Sequence, residues 1–270
     1  MNIHKTISFA ALLCAAITSL HAQQVAVPIA DTGVGGLMGG VQNHRWLSAE
    51  QMGPLLEQST EFVLIGPDGV EEGGVTLGQK EPPSEDICQD LVGVKFELEP
   101  HEGVAVGSAA QWKLVPRPVQ AVAADSPVYK KVVADFLRSK GLLRPVVNII
   151  RAYRVDLDGD GKDEVLIEAT HFKSGLAPNA SAGDYSTLIM RKIVGKTVRT
   201  IEIDGEYIKK KIEFGAPSQY KLAAIADLNG DGKMEIVTYS AYYEGNSSAT
   251  YELVGNKAVE IKELSIGCGV

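Results

Sequence analysis

Positive charge is in short supply in this chain: 26 lysines and arginines face 34 aspartates and glutamates, a formal net charge of −8 over 270 residues. A strongly acidic surface excludes nucleic acid and anionic lipid as expected partners, because both are bound through basic patches. Long apolar runs are equally missing beyond residue 22, and none reaches the ~20 residues of a membrane-spanning helix. Familiar catalytic signatures are absent too. There is no Gly-x-Ser-x-Gly, no His-Glu-x-x-His and no phosphate loop, since Gly195-Lys196-Thr197 lacks the upstream glycine. Gly33-x-Gly35 lacks the third glycine of a dinucleotide fingerprint. Beyond the opening segment the histidines, His44, His101 and His171, stand apart from one another in sequence.

What the chain does have is one acidic phrase written twice. DLDGDGKDEVL, Asp156 to Leu166, returns as DLNGDGKMEIV, Asp227 to Val237. Oxygen side chains fall at positions 1, 3 and 5: Asp156, Asp158 and Asp160 in one copy, Asp227, Asn229 and Asp231 in the other. Position 6 is Gly161 or Gly232, where a chain wrapping round an ion must bend sharply. Position 7, Lys162 or Lys233, would offer its backbone carbonyl with the side chain free in solvent, and position 9 is a carboxylate, Glu164 or Glu235. Hard oxygen donors at this spacing suit calcium, which takes 6–8 of them at roughly 2.3–2.6 Å. An acidic β-turn is the plain alternative. A bare turn, however, has no reason to repeat the whole order of ligands. An EF-hand is excluded, because position 12 is Ile167 or Thr238 rather than glutamate, and the β-branched residues after each loop predict a strand, not a helix.

A DxDGDG loop running straight into a strand resembles the calcium loop of FG-GAP or VCBS-type repeats, the units of integrin-like β-propellers. The resemblance spans Val146 to Leu264, and Phe214-Gly215-Ala216-Pro217 is similar to the Phe-Gly and Gly-Ala-Pro elements of that family. No such element precedes the first loop, and position 9 is Glu where the family usually has Asp. The resemblance implies two structural calcium ions and an activity of binding or envelope-associated scaffolding.

The remaining chain reads in order. Residues 1–22 carry Lys5, an apolar stretch from Ile7 to Leu20 and a small Ala22, the pattern of a secretory signal peptide. Its removal leaves Cys88 and Cys268, which in an oxidising compartment are expected to form a disulfide. Residues 23–45 are glycine-rich without periodicity and are expected to be a flexible leader. Residues 46–120 are expected to form an N-terminal β domain. It opens with a short helix whose Ser48 and Gln51 make a capping box, and continues as short strands such as EFVLIG and VGVKFELEP, with Trp46 and Trp112 in its core. Residues 121–145 predict a connecting helix, entered at Asp125 or Ser126 with Pro127 in its first turn and ended by Gly141.

Residues 146–270 predict two calcium-loop β units. Each is an antiparallel meander with tight turns at Gly195, Asp204-Gly205 and Gly255-Asn256 and a polar loop at Gly245 to Ser248. The first copy carries a longer excursion around His171 to Asp184. Lys209-Lys210-Lys211 is expected to alternate across a sheet edge as a guard.

The expected fold is therefore mostly β with one or two helices, propeller-blade-like units beside an N-terminal β domain. The expected protein is exported, periplasmic or extracellular, with calcium in a structural role and a protein or carbohydrate as ligand. Tyr239, Tyr242, Tyr243 and Tyr251, with His171-Phe172, either present a stacking face for such a ligand or pack across strands. The alternative is an exported hydrolase whose N-terminal half gathers His44, His101 or two carboxylates, with the calcium units as an accessory.

Overall fold

A computed structural model of the protein describes residues 25–82, 88–97 and 103–269. The signal peptide and His101 lie outside the described residues. Among those described, no helix is long and apolar enough to cross a membrane. The fold is mostly β, in three antiparallel sheets.

The first half supplies β1 (Val27–Asp31), β2 (Gly36–Gln42), β3 (Arg45–Ser48), α1 (Ala49–Met52), β4 (Ser59–Gly66), β5 (Gly69–Lys80), β6 (Val94–Phe96) and β7 (Val104–Gly107). These strands join in the order β3-β2-β1-β7-β4-β5-β6. A second sheet has the order β12-β11-β10-β9-β8. It is built from β8 (Gln120–Ala121), β9 (Ile149–Val155), β10 (Glu164–His171), β11 (Tyr185–Val194) and β12 (Thr197–Tyr207), with α2 (Pro127–Ser139) between β8 and β9 in sequence. The third is a plain meander of β13 (Gln219–Ala226), β14 (Glu235–Tyr242), β15 (Gly245–Val254) and β16 (Lys257–Gly269).

Side-chain alternation decides how the sheets stack. On β13, Ala223, Ala224 and Ala226 face the first sheet and join Ile29, Met38, Val41 and Val106 in one core. Leu222 and Ile225 of the same strand face the second sheet and join Tyr153, Leu166, Leu188 and Met190 in another. The third sheet is thus the middle layer. Helix α1 and the turn after it cover the outer face of the first sheet through Met52 and Leu56. Helix α2 covers the outer face of the second through Val133 and Leu137. Each sheet finds a hydrophobic partner for both faces, which is what a two-sided apolar strand such as β11 requires. The edge strands β12 and β16 carry the charged and exposed residues.

Several expectations need correction. Residues 27–42 are not a flexible leader but two buried strands, and the glycines that suggested looseness serve close packing. Gly39 has φ +157°, and a Cβ there would lie 2.4 Å from the Leu47 carbonyl and 2.8 Å from that of Glu263, so β2 approaches β16 backbone to backbone. Asp204-Gly205 is not a turn. Strand β12 runs through it with a bulge opposite Leu188 and Ile189, and the Asp204 carboxylate accepts a hydrogen bond from Tyr251 on the third sheet (2.9 Å).

The loop expected at Gly245 to Ser248 is strand, the turn having tightened to Tyr243-Glu244. Ser247 meets Ser240 across the pair at 2.8 Å, and the Ser248 hydroxyl donates to the buried Asp31 carboxylate at 2.6 Å. Lys209, Lys210 and Lys211 lie on no strand, and all three are exposed. The capping box at Ser48 and Gln51 is present, and α2 ends before Gly141, which takes φ +95°. Trp46 and Trp112 pack partly buried against the first core.

Cys88 and Cys268 are disulfide-bonded, closing a span of 180 residues with their Cα atoms 5.6 Å apart. The bridge ties the last strand to the segment before β6. Cys268→Ser is expected to lower unfolding stability by about 2–4 kcal/mol through release of the unfolded chain, read as a shifted midpoint in guanidinium. Gly39→Ala should cost about 1–3 kcal/mol through overpacking, whereas Gly195→Ala, with open space around its Cβ, pays only for its positive φ.

Candidate metal centre

Both acidic phrases fold into the same knot, one linking β9 to β10 and the other β13 to β14. In each, the first aspartate serves as the hub. Asp156 Oδ1 accepts from the amides of Gly159 (2.8 Å) and Asp160 (3.1 Å), and its Oδ2 from Gly161 (3.1 Å). Asp227 repeats this with Gly230 (2.7 Å) and Gly232 (2.9 Å). The turns these amides follow need left-handed backbone at positions 4 and 6, and both loops supply it with glycine: Gly159 and Gly161 at φ +74° and +80°, Gly230 and Gly232 at +77° and +84°. Position 2, Leu157 or Leu228, is fully buried and pins the loop into the core.

The glutamate at position 9 closes each loop. Glu164 Oε2 accepts from the Leu157 amide at 3.0 Å, and Glu235 Oε2 from the Leu228 amide at 2.8 Å. Both glutamates are almost wholly buried, at 1% and 2% exposure. Asp160 and Asp231 each accept from the amide two residues on, that of Lys162 or Lys233, at 2.8 Å. Asn229 takes the third place in the second loop, its Oδ1 accepting from the Asp231 amide at 2.9 Å. Lys162 is exposed, as expected, but paired: its ammonium lies 3.0 Å from Asp160 Oδ2, and this cation holds the Asp160 carboxyl below its ordinary range.

Asp156, Asp158 and Glu164 bring ligand oxygens within 4.8 Å of one another, the one such acidic, histidine or cysteine group among the described residues. Asp158 Oδ1 is buried there without a hydrogen-bond partner. Into this group reaches a residue that the loop pattern does not contain. Lys192, from β11, places its ammonium 2.8 Å from Asp158 Oδ2 and 2.7 Å from Glu164 Oε1. Burial works against that charge, but the two carboxylates outweigh it and raise the lysine above its ordinary pKa. Among the described residues, no ammonium takes that place in the second loop. Burial pushes Glu235 up to about 8, against the pull of the Leu228 amide. It also raises Asp227, with the Gly230 and Gly232 amides opposing.

A single arginine joins the two loops. Arg117 donates through Nε to the Asp156 carbonyl, through Nη2 to that of Leu157 (2.8 Å) and through Nη1 to that of Gly232 (2.7 Å). The Met234 amide donates directly to the Leu157 carbonyl at 2.9 Å. Two N-terminal residues also reach the second loop. Trp112 donates from its indole to the Asp227 carbonyl (2.9 Å), and His44 Nδ1 sits 2.8 Å from the Asn229 carbonyl, held there by the positive-φ pair Asn43-His44 at the β2–β3 turn.

The tyrosines do not make one platform. Tyr239 packs on the first core, Tyr251 on the second, and Tyr243 is exposed. His171 lies beside Tyr185, remote in sequence and sheet from His44, with ring centroids 6.4 Å apart.

Lys192 carried a signal in sequence, a lysine inside the apolar run STLIMRKIV. Arg117, between Pro116 and Pro118, carried none. Because Arg117 spans both loops, Arg117→Ala should destabilise the fold by about 1.5–3 kcal/mol by removing charge-assisted hydrogen bonds to both loops. Arg117→Lys should recover only part of this, since an ammonium lacks the planar fork; chemical denaturation of the three proteins checks it. Comparison with family models, with curated proteins and with solved structures finds no match to this chain.

Proposed function

We propose that this protein is an exported β-repeat protein of the FG-GAP/VCBS kind, a binding or envelope scaffold module in which calcium is structural. The observation that carries the reading is the duplicated loop: two acidic phrases with the same hub aspartate, the same two left-handed glycines and the same closing glutamate, each at a strand-to-strand corner. The donor chemistry supports it. Every side-chain donor at loop positions 1, 3, 5 and 9 is an oxygen, the choice of a hard cation. In the second loop Asp227, Asn229, Asp231 and Glu235 would hold the ion together with the Lys233 carbonyl. Asp156, Asp158, Asp160, Glu164 and the Lys162 carbonyl are the corresponding set in the first.

Bound there, calcium supplies two positive charges to carboxylates that burial otherwise disfavours, so that metal binding and folding are coupled. The disulfide supports an oxidising compartment, periplasmic or extracellular. An acidic chain with a rigid β body suits a protein or carbohydrate ligand rather than nucleic acid.

The test is thermal melting of the metal-stripped protein, disulfide intact, with calcium and with chelator. Calcium at ~100 times its dissociation constant adds about 2.7 kcal/mol per site, or roughly 5–10 °C for a chain of this size. Asp231→Ala should abolish the gain contributed by the second loop. Identical melts with calcium and with chelator would overturn the proposal.

A further inference from the structure

We infer that the two loops are not equivalent: the first carries its own permanent cation, the Lys192 ammonium, and takes no calcium, which leaves the second as the single calcium site. This rests on the calcium reading above and sharpens its stoichiometry.

The geometry of the first loop makes the case. An ammonium hydrogen-bonded to carboxylates sits at roughly 2.7–2.9 Å from their oxygens, and Lys192 is at 2.8 and 2.7 Å from Asp158 and Glu164. Calcium would need those same two oxygens at roughly 2.3–2.6 Å. One pair of oxygens cannot hold both cations. Nor is Lys192 a surface side chain drawn in by chance. It stands on β11, flanked by β10 and β12, and its side chain is 6% exposed. Its position follows from register: the β10–β11 ladder pairs Val165 with Arg191, and one step further sets Glu164 opposite Lys192.

The same register in the third sheet gives the opposite chemistry. There β14 pairs Ile236 with Tyr251, and one step further sets Glu235 opposite Glu252. A base in the first unit is replaced by an acid in the second. Among the described residues, no lysine, arginine or histidine nitrogen makes an ion pair with Asp227, Asp231 or Glu235. Asp227, Asp231 and Glu235 therefore have no cation from the protein, while the first loop is answered by Lys192 and, at its rim, by Lys162. Only the second loop's charge has to be met from solution, so only the joint between the first and third sheets responds to calcium concentration.

Calorimetric titration of the metal-stripped protein with calcium, alongside terbium luminescence, tests this. The Trp112 ring packs against Gly230, where an added Cβ would lie 2.8 Å from it, so terbium in the second loop is sensitised by that indole. The wild type should take one calcium per chain and give tryptophan-sensitised terbium emission. Asp231→Ala should lose both. Lys192→Met should take two calcium ions, melt lower than wild type in chelator and regain the difference with calcium; Lys192→Arg should stay at one. If Lys192→Met does not fold, the wild-type stoichiometry still decides. Two ions in the wild type, or one ion abolished by Asp158→Ala but not by Asp231→Ala, overturns the inference while leaving the calcium reading intact. A Lys192→Met variant that stays at one ion overturns it as well. No calcium uptake and no thermal response overturns the calcium reading itself.

Discussion

Two glutamate carboxylates, Glu164 and Glu235, are buried at the first residue of a strand, and the surroundings of each are organised around the need to meet that charge. Burying an ionised carboxylate without compensation is prohibitive, so such groups are paired, hydrogen-bonded or protonated. Each glutamate receives one backbone amide from the start of its own loop, and that bond draws the loop shut. Closing the loop turns the strand back on itself and sets the register of the hairpin. The register then places the next strand, and with it either Lys192 or Glu252, opposite the glutamate. The corner of each unit, its strand pairing and its electrostatics therefore follow from one buried acid.

The second consequence concerns how the corners meet. Backbone carbonyls that a tight loop leaves without ladder partners need donors, and here several come from elsewhere in the chain. Arg117 serves both loops, and Trp112 and His44 serve the second. The segment from residue 110 to 119 is irregular in structure, yet it fastens the first sheet to the two corners. Partly buried Val115 packs against two of the cores at once. The N-terminal strands and the repeated units consequently share apolar cores and polar fastenings rather than meeting across a linker.

Much of this was legible in the chain itself. The loops could be read because their chemistry is local: glycine for left-handed backbone, aspartate for amide caps, a carboxylate where the strand begins. Strand existence followed from alternation, as at Val94 and Phe96 of β6, and α2 from its stripe of Val132, Val133, Phe136 and Leu137. The misreadings share a cause. Gly36 to Gly40 suggested looseness by composition, yet Gly36 is crowded by Ile266 and Leu91 and Gly39 serves the approach of β2 to the β16 backbone, long-range facts invisible locally. Asp204-Gly205 has turn chemistry, but its carboxylate is committed to Tyr251 of another sheet. Arg117 acts through carbonyls 40 and 115 residues away, and no local pattern encodes such a reach.

On the calcium reading proposed above, a chain that repeats an acidic loop and fills one copy with its own lysine separates two roles of a cation. The tethered ammonium is present at any calcium concentration, and its effective concentration at the site is set by the fold rather than by solution. The solution ion is exchangeable. Placing the tethered cation in the second sheet keeps that sheet and α2, packed on its outer face, independent of the environment. An exchangeable ion in the third sheet, whose β13 alanines lie against the first sheet, would put the proposed calcium corner where the layers join. Without an ion, burial and, behind it, the charges of Asp231 and Asp227 disfavour an ionised Glu235 at that joint. The layer contact combines the small residues Ala223, Ala224 and Ala226 with Leu228, Val237, Ile261 and Leu264 in the core shared with the first sheet. On the calcium reading, the corner that lacks a cation of its own is the one whose Leu228 packs in the core shared with the first sheet, whereas Leu157 of the first loop packs in the other core.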